Sequence, residues 1–276
     1  MFLRAGNYKK DHMKKSRAAG KKRKKTQQAA KTCIANQNSP AMLSLNKNFW
    51  QIGGMANAME AIIYDFDGVV VDSESLHKES FEKALERWKV SVPQETWYNR
   101  YTGTGSRYIM QDLFEKYSIK EDVDEWVRIR MELFDALAKK RKVATIPGFM
   151  DFFNAASEAG LPQMIASGSH RKNIEAMLKN TGLYGKIDFV GLEDVKNRKP
   201  DPECFLLSAK RLGSRPEMTV VFEDSPSGLA AAIAGGFKSV ALLTSTTREK
   251  LAGAGMYARD FTGLDPQKVS AGLFGR

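Results

Sequence analysis

Asp65 and Asp67 stand two residues apart at the end of the run AIIYDFDGVVVDSE, residues 61–74. Strand side chains repeat every two residues, so both carboxylates project to one side while Phe66 turns into the core. Gly68 then lets the chain turn. Carboxylates held this close repel one another, and the arrangement persists only with a cation, a lysine or a proton to compensate it. In isolation the run also reads as an acidic turn after a strand. Further polar groups lie downstream. Ser167 ends LPQMIAS, and Gly168 and Ser169 follow it as a short loop offering backbone donors before a helix. Alone, that serine also reads as a helix N-cap. Lys199 sits in RKPDPE, where Pro200 and Pro202 fix the backbone, and alone it also reads as a solvated surface lysine. Glu223 and Asp224 end the apolar run MTVVF. Adjacent acids at a buried strand's tip are costly without a cation, and an oxygen-rich site suits Mg²⁺.

The elements that must carry these groups follow from periodicity. After the first strand, residues 73–90 place Leu76, Phe81, Leu85 and Trp88 at helical spacing. Pro93 opens a short helix ending near Tyr101, TGTGSR (residues 102–107) is a loop, and YIMQDLFEKY is a helix. Residues 122–142 form a long amphipathic helix with Trp126, Ile129, Leu133 and Leu137 on one stripe. Four helices with no strand among them read as a module inserted after the first strand, and IPGF marks the return. From there helices alternate with the strands LPQMIAS, IDFVG, EMTVVFE and SVALLT, ending on a helix at 247–252. The alternation predicts an α/β fold, a doubly wound parallel sheet with an inserted helical cap. The expected division is a basic extension over 1–58, a core of 59–72 and 146–276, and a cap of 73–145. Ligands of such sheets bind beyond the carboxyl ends of the strands, where all of the polar residues above lie.

The chain has 276 residues and a net charge of +11, unevenly spread. Residues 1–59 carry 13 Lys or Arg and one acid, whereas residues 60–276 carry 30 basic and 31 acidic residues. The near-neutral folded part opposes nucleic-acid binding, and only the basic extension supports it. That extension lacks periodic hydrophobicity and is expected to be disordered. It reads as a nuclear localisation signal, a nucleic-acid patch or an organelle transit peptide, or as sequence preceding a start at Met55 or Met59. Two cysteines, Cys33 and Cys204, make no disulfide framework and point to a reducing, cytoplasmic compartment. Nucleus or organelle is the alternative if the leader is genuine. No run reaches the roughly 18 apolar residues of a membrane helix, and oligomeric state is not legible.

DFDGVVVDSE, ASGS, RKPDP and VFEDSPSG, in that order, resemble the four motifs of the haloacid dehalogenase superfamily. The details are similar to its beta-phosphoglucomutase and phosphatase-like branch with a helical cap, and the resemblance covers about residues 60–264. It implies that Asp65 is a nucleophile that takes a phosphoryl group, and that Asp67 is the general acid and base. It implies Mg²⁺ held by Asp65, the Asp67 carbonyl and Asp224 with Glu223 beside it, and Ser167 and Lys199 on the phosphoryl oxygens. His77, the cap-loop residues Thr104, Ser106 and Arg107, and Gly168, Ser169, His170 and Arg171 are candidates for substrate contact. Haloacid dehalogenases and phosphonatases lack an acid at the second position, so Asp67 favours phosphate chemistry. The expected activity is a Mg²⁺-dependent phosphatase for a small phosphorylated metabolite, a sugar phosphate or phosphoglycolate. A beta-phosphoglucomutase shares every core residue, although the long cap helix shows no clear mutase-type lysine.

Overall fold

The computed structural model describes residues 59–275, and the readings made of residues 1–58 lie outside them. Six parallel strands form one sheet: β1 Ala61–Tyr64, β2 Gln163–Ala166, β3 Asp188–Val190, β4 Thr219–Glu223, β5 Lys238–Leu242 and β6 Met256–Ala258. Their order is β3-β2-β1-β4-β5-β6, which puts the first strand at the centre. Residues of β1 and β4 are buried along their whole length, which is why both read as continuous apolar runs rather than alternating ones. Tyr64 is paired with Ile165 on one side and Phe222 on the other. That register brings the residues just past each strand, Asp65, Ser167 and Asp224, to one edge of the sheet.

Between β1 and β2 come α1 Glu74–Ala84, α2 Gln94–Thr96 continued by a wide turn over Trp97–Tyr101, α3 Ser106–Lys116, α4 Val123–Lys140 and α5 Phe149–Glu158. The first four form the cap region and share a hydrophobic cluster of their own that includes Phe81, Leu85, Trp97, Met110 and Leu113. Later helices are α6 Arg171–Thr181, α7 Glu203–Leu212, α8 Pro226–Ala234 and α9 Pro266–Phe274. The core beneath the sheet centres on Tyr64, whose ring meets Phe149, Phe152, Phe222 and Phe261 at 5.2, 6.4, 5.5 and 6.1 Å.

The architecture departs from the sequence-based expectation at three places. The helix expected over 247–252 is a single tight turn, Arg248–Leu251. Strand β6 and helix α9 extend the fold beyond the expected elements. The long cap helix buries Arg130, Phe134, Leu137 and Ala138, not the whole stripe from Trp126 through Leu137. Among the described residues no helix is long and apolar enough to cross a membrane.

Candidate active site

Asp65 follows β1 directly and is 8% exposed. Its pKa is raised to about 7: burial pushes it up most, the ammonium of Lys199 pulls it down, and the charges of Glu223 and Asp67 push it up again. Lys199 spends all three of its donors here: on Asp65 Oδ1, on Glu223 Oε1 at 2.8 Å and on the Ala166 carbonyl at 3.1 Å. Burial opposes its charge, but Asp65 and Glu223 outweigh that and hold the ammonium well above the ordinary lysine value.

Glu223 closes β4 with no exposed surface. Its second oxygen accepts from the backbone N–H groups of Asp224 and Ser225, each at 2.8 Å, and from the Ser225 hydroxyl at 2.9 Å. Asp224, 4% exposed, is pushed well above the usual carboxylate range by burial, then by Glu223 and Asp65. The Ser245 hydroxyl donates to its Oδ2.

Asp67 is held differently. Its Oδ1 accepts from the Ser73 hydroxyl and its Oδ2 from the Ser169 hydroxyl, both at 2.6 Å, and His77 Nε2 lies 3.8 Å from Oδ1. Burial pushes its pKa up, but the His77 ring and the two serines together leave it below the ordinary value. The two aspartates therefore differ in character because one lies in a crowd of acids and the other in a ring of donors.

His77 stacks on Phe134 with ring centroids 4.4 Å apart, and its Nδ1 meets the guanidinium of Arg130. A guanidinium can only donate, so Nδ1 is the acceptor and the ring proton sits on Nε2, facing Asp67. Arg130 is 4% exposed, its pKa is lowered by burial to about 10, and its Nε has no hydrogen-bond partner. Its Nη1 reaches Ser106 Oγ at 3.4 Å. Glu74 accepts from Trp97 Nε1 at 2.7 Å and Thr102 Oγ1 at 3.3 Å, tying the start of α1 to the cap loop.

Lys199 thus joins Asp65 to Glu223, whose carboxylate also holds the Asp224 N–H, while Asp67 gathers Ser73, Ser169 and His77 into a second group beside it. Ser167, 1% exposed, accepts from the Ser169 N–H at 2.9 Å and braces that loop, while Gly168 is exposed with open space around it. Other candidates are engaged elsewhere. His170 Nδ1 contacts Glu193 at 2.9 Å and Arg171 pairs with Asp194 at 2.6 Å, both on the turn after β3. Thr104 bonds the Tyr101 carbonyl at 2.6 Å, and Arg107, largely exposed, pairs with Asp124. The sequence reading passed over Ser73, Arg130, Thr244 and Ser245. Of these Thr244 carried a usable signal, since its hydroxyl closes the apolar run of β5 as Ser167 closes that of β2.

Among the described residues no three His, Cys, Asp or Glu side chains are gathered as a metal cluster. Asp65 and Asp224 nevertheless fit a small hard cation, which binds through one or two carboxylates and completes its shell with water and phosphate oxygens. Both are buried, the charge of Asp65 raises the pKa of Asp224, and one lysine does not balance Asp65, Glu223 and Asp224. Gly68 lies against this pair at φ +78°, where a Cβ would overlap the Asp224 carboxylate and crowd Ser245 Oγ. Gly68→Ala is therefore expected to cost about 2 kcal/mol or more in urea unfolding and most of the turnover. A stable, active Gly68→Ala enzyme would show that Asp224 does not rest there.

The chain is 30% identical over 187 residues to the phosphorylated carbohydrates phosphatase of Thermotoga maritima, covering 66% of this chain and 84% of that protein. A haloacid dehalogenase family hydrolase from Deinococcus radiodurans, solved with bound phosphate and sodium, superposes with a TM-score of 0.66 at 25% identity, covering 79% of this chain and 98% of that one. CbbY from Rhodobacter sphaeroides, solved with phosphate, gives a TM-score of 0.60 at 25% identity and covers 75% and 96%. The model of the haloacid dehalogenase-like hydrolases matches residues 62–242, the whole stretch from the strand that leads into Asp65 to the end of β5, and the chain belongs to that family.

Proposed function

We propose that the protein is a Mg²⁺-dependent phosphatase acting on a small phosphorylated metabolite, a sugar phosphate or phosphoglycolate, through a phosphorylated Asp65. The observation that carries this reading is the pair of buried carboxylates, Asp65 and Asp224, on adjacent strand ends with more negative charge around them than Lys199 offsets. Phosphates bound in the related structures and the carbohydrate phosphatase among the relatives support the substrate class.

In this mechanism Asp65 attacks phosphorus and forms the acyl phosphate. Asp224, Asp65 and the Asp67 carbonyl would hold Mg²⁺, which would supply positive charge to offset that of the phosphoryl oxygens and the two carboxylates. Lys199 orients Asp65 and stays beside it as a fixed positive charge. Glu223 has both oxygens committed to Lys199 and to the 224–225 turn, so its work is to anchor that lysine. An arriving phosphate dianion opposes the ionisation of neighbouring Asp67, so substrate itself favours the proton-carrying form that the leaving oxygen needs. The same residue, once deprotonated, takes a proton from the water that attacks phosphorylated Asp65. Ser167 offers its hydroxyl to the phosphoryl group, while the Ser169 hydroxyl stays on Asp67. The cap, taken as residues 73–145, closes over the strand ends against a core of 59–72 and 146–276. Cys204, a buried free thiol, is consistent with work in the cytoplasm.

A panel of phosphorylated metabolites tests the proposal. Phosphate release from a sugar phosphate or phosphoglycolate is expected, abolished by EDTA and restored by Mg²⁺. Conversion of beta-glucose 1-phosphate to glucose 6-phosphate without net phosphate release would make the enzyme a mutase instead. Release that is indifferent to EDTA and Mg²⁺ would remove the metal from the reading.

A further inference from the structure

We propose that Ser245, on the loop after β5, is a positioning residue that sets which oxygen of Asp224 faces the cation. The inference rests on the reading of Asp65 and Asp224 as a Mg²⁺ site and adds a part to it from a strand that contributes no acid. Strand β5 lies beside β4, with Ala241 opposite Glu223. The chain leaving β5 therefore passes the end of β4, and Ser245 arrives next to Asp224.

Three contacts define the arrangement. The Ser245 hydroxyl, 6% exposed, donates to Asp224 Oδ2. That same oxygen rests against the Cα of Gly68, where no side chain could be accommodated. The preceding residue, Thr244, donates from Oγ1 to the Gly68 carbonyl at 2.6 Å. One dipeptide thus grips both walls of the site: the turn that carries Asp65 and Asp67, and the carboxylate of Asp224. With Oδ2 walled in by Ser245 and Gly68, Oδ1 is left as the oxygen for a ligand. A carboxylate fixed in this way meets the cation without first losing rotational freedom, and partners of this kind change metal affinity about 10–100-fold when removed.

The test is Mg²⁺ binding by the full chain without substrate, read by calorimetry and by the metal-dependent rise in melting temperature. Wild type, Ser245→Ala, Ser245→Thr, Asp224→Asn and the Ser245→Ala/Asp224→Asn double variant are compared. Ser245→Ala is expected to weaken Mg²⁺ about tenfold or more, while Ser245→Thr, which keeps the hydroxyl, stays near wild type. In the Asp224→Asn background the alanine should add little, because the serine acts through that carboxylate. A Ser245→Ala dissociation constant within about twofold of wild type overturns the proposal, as does an equal loss in the Asp224→Asn background. If wild type itself binds no Mg²⁺, the metal reading fails and this inference falls with it, an outcome distinct from a normal wild type beside an unaffected variant. Melts without metal report folding, and Ser245→Cys replaces the alanine variant if that one does not fold.

Discussion

Asp65→Asn is expected to give a folded protein whose turnover is lower by at least about 10³-fold. The amide keeps an oxygen that can accept from Lys199, so the contact that seats residue 65 survives. It removes the charge that burial and the neighbouring acids oppose, so metal-free stability should be unchanged or higher. What disappears is the nucleophile: an amide oxygen attacks phosphorus poorly and cannot form a stable acyl phosphate. Steady-state phosphate release, with circular dichroism to confirm the fold, checks both halves. Substantial turnover in a natively folded Asp65→Asn protein would remove Asp65 from that role, and Asp67 would have to be tested in its place.

Lys199→Met should be the most damaging substitution for stability and activity together. Its ammonium is the cation that touches both Asp65 and Glu223, and removing one partner of a buried ion pair typically costs about 3–5 kcal/mol. The loss has a pH signature. Asp65 already has a folded pKa of about 7, above the unfolded value near 4, so the folded state is penalised increasingly as pH rises between those values. Lys199 lowers that folded pKa, and without it the penalty grows further and extends to higher pH. The stability gap between wild type and Lys199→Met, measured by urea unfolding in EDTA, should therefore be small near pH 5 and widen by pH 8. A gap independent of pH would mean that the lysine is not compensating Asp65. Turnover near neutral pH should fall sharply as well, because a protonated Asp65 is no nucleophile.

The sheet and the acids were legible because the same physics writes both. A strand buried on two faces has to be apolar throughout, so a carboxylate at its end stands out, as at Tyr64–Asp65 and Phe222–Glu223. Arg130 was hidden for the converse reason. A charged residue on an amphipathic helix reads as solvent-facing, yet this one is buried against Phe81 and Phe134, with its guanidinium 4.6 and 5.0 Å from their rings. No spacing rule reports that. Ser245 was hidden because hydroxyls are common in loops, and its meaning depends on β5 lying next to β4, a fact of strand order. Strand β6 has only three residues, all half-buried and paired with β5 alone, which is too short for alternation to register. Helix α9 could have been read, since Asp265 caps it by accepting from the Lys268 N–H at 2.8 Å and Pro266 occupies its first turn.

The central position of β1 also governs how the protein can be made. Its two neighbours, β2 and β4, begin at Gln163 and Thr219, so a ribosome that has produced the whole cap has supplied neither flank of the first strand. The cap cluster closes within residues 81–133 and can consolidate early, while Ala61–Tyr64 waits as an apolar segment with open edges. The interval until Phe222 emerges is the period of greatest exposure to aggregation. It is also the period in which no catalytic constellation exists, because Asp65 meets Glu223 and Asp224 only when β4 takes its place. Chains truncated before β4 would therefore carry a finished cap cluster and an unfinished site.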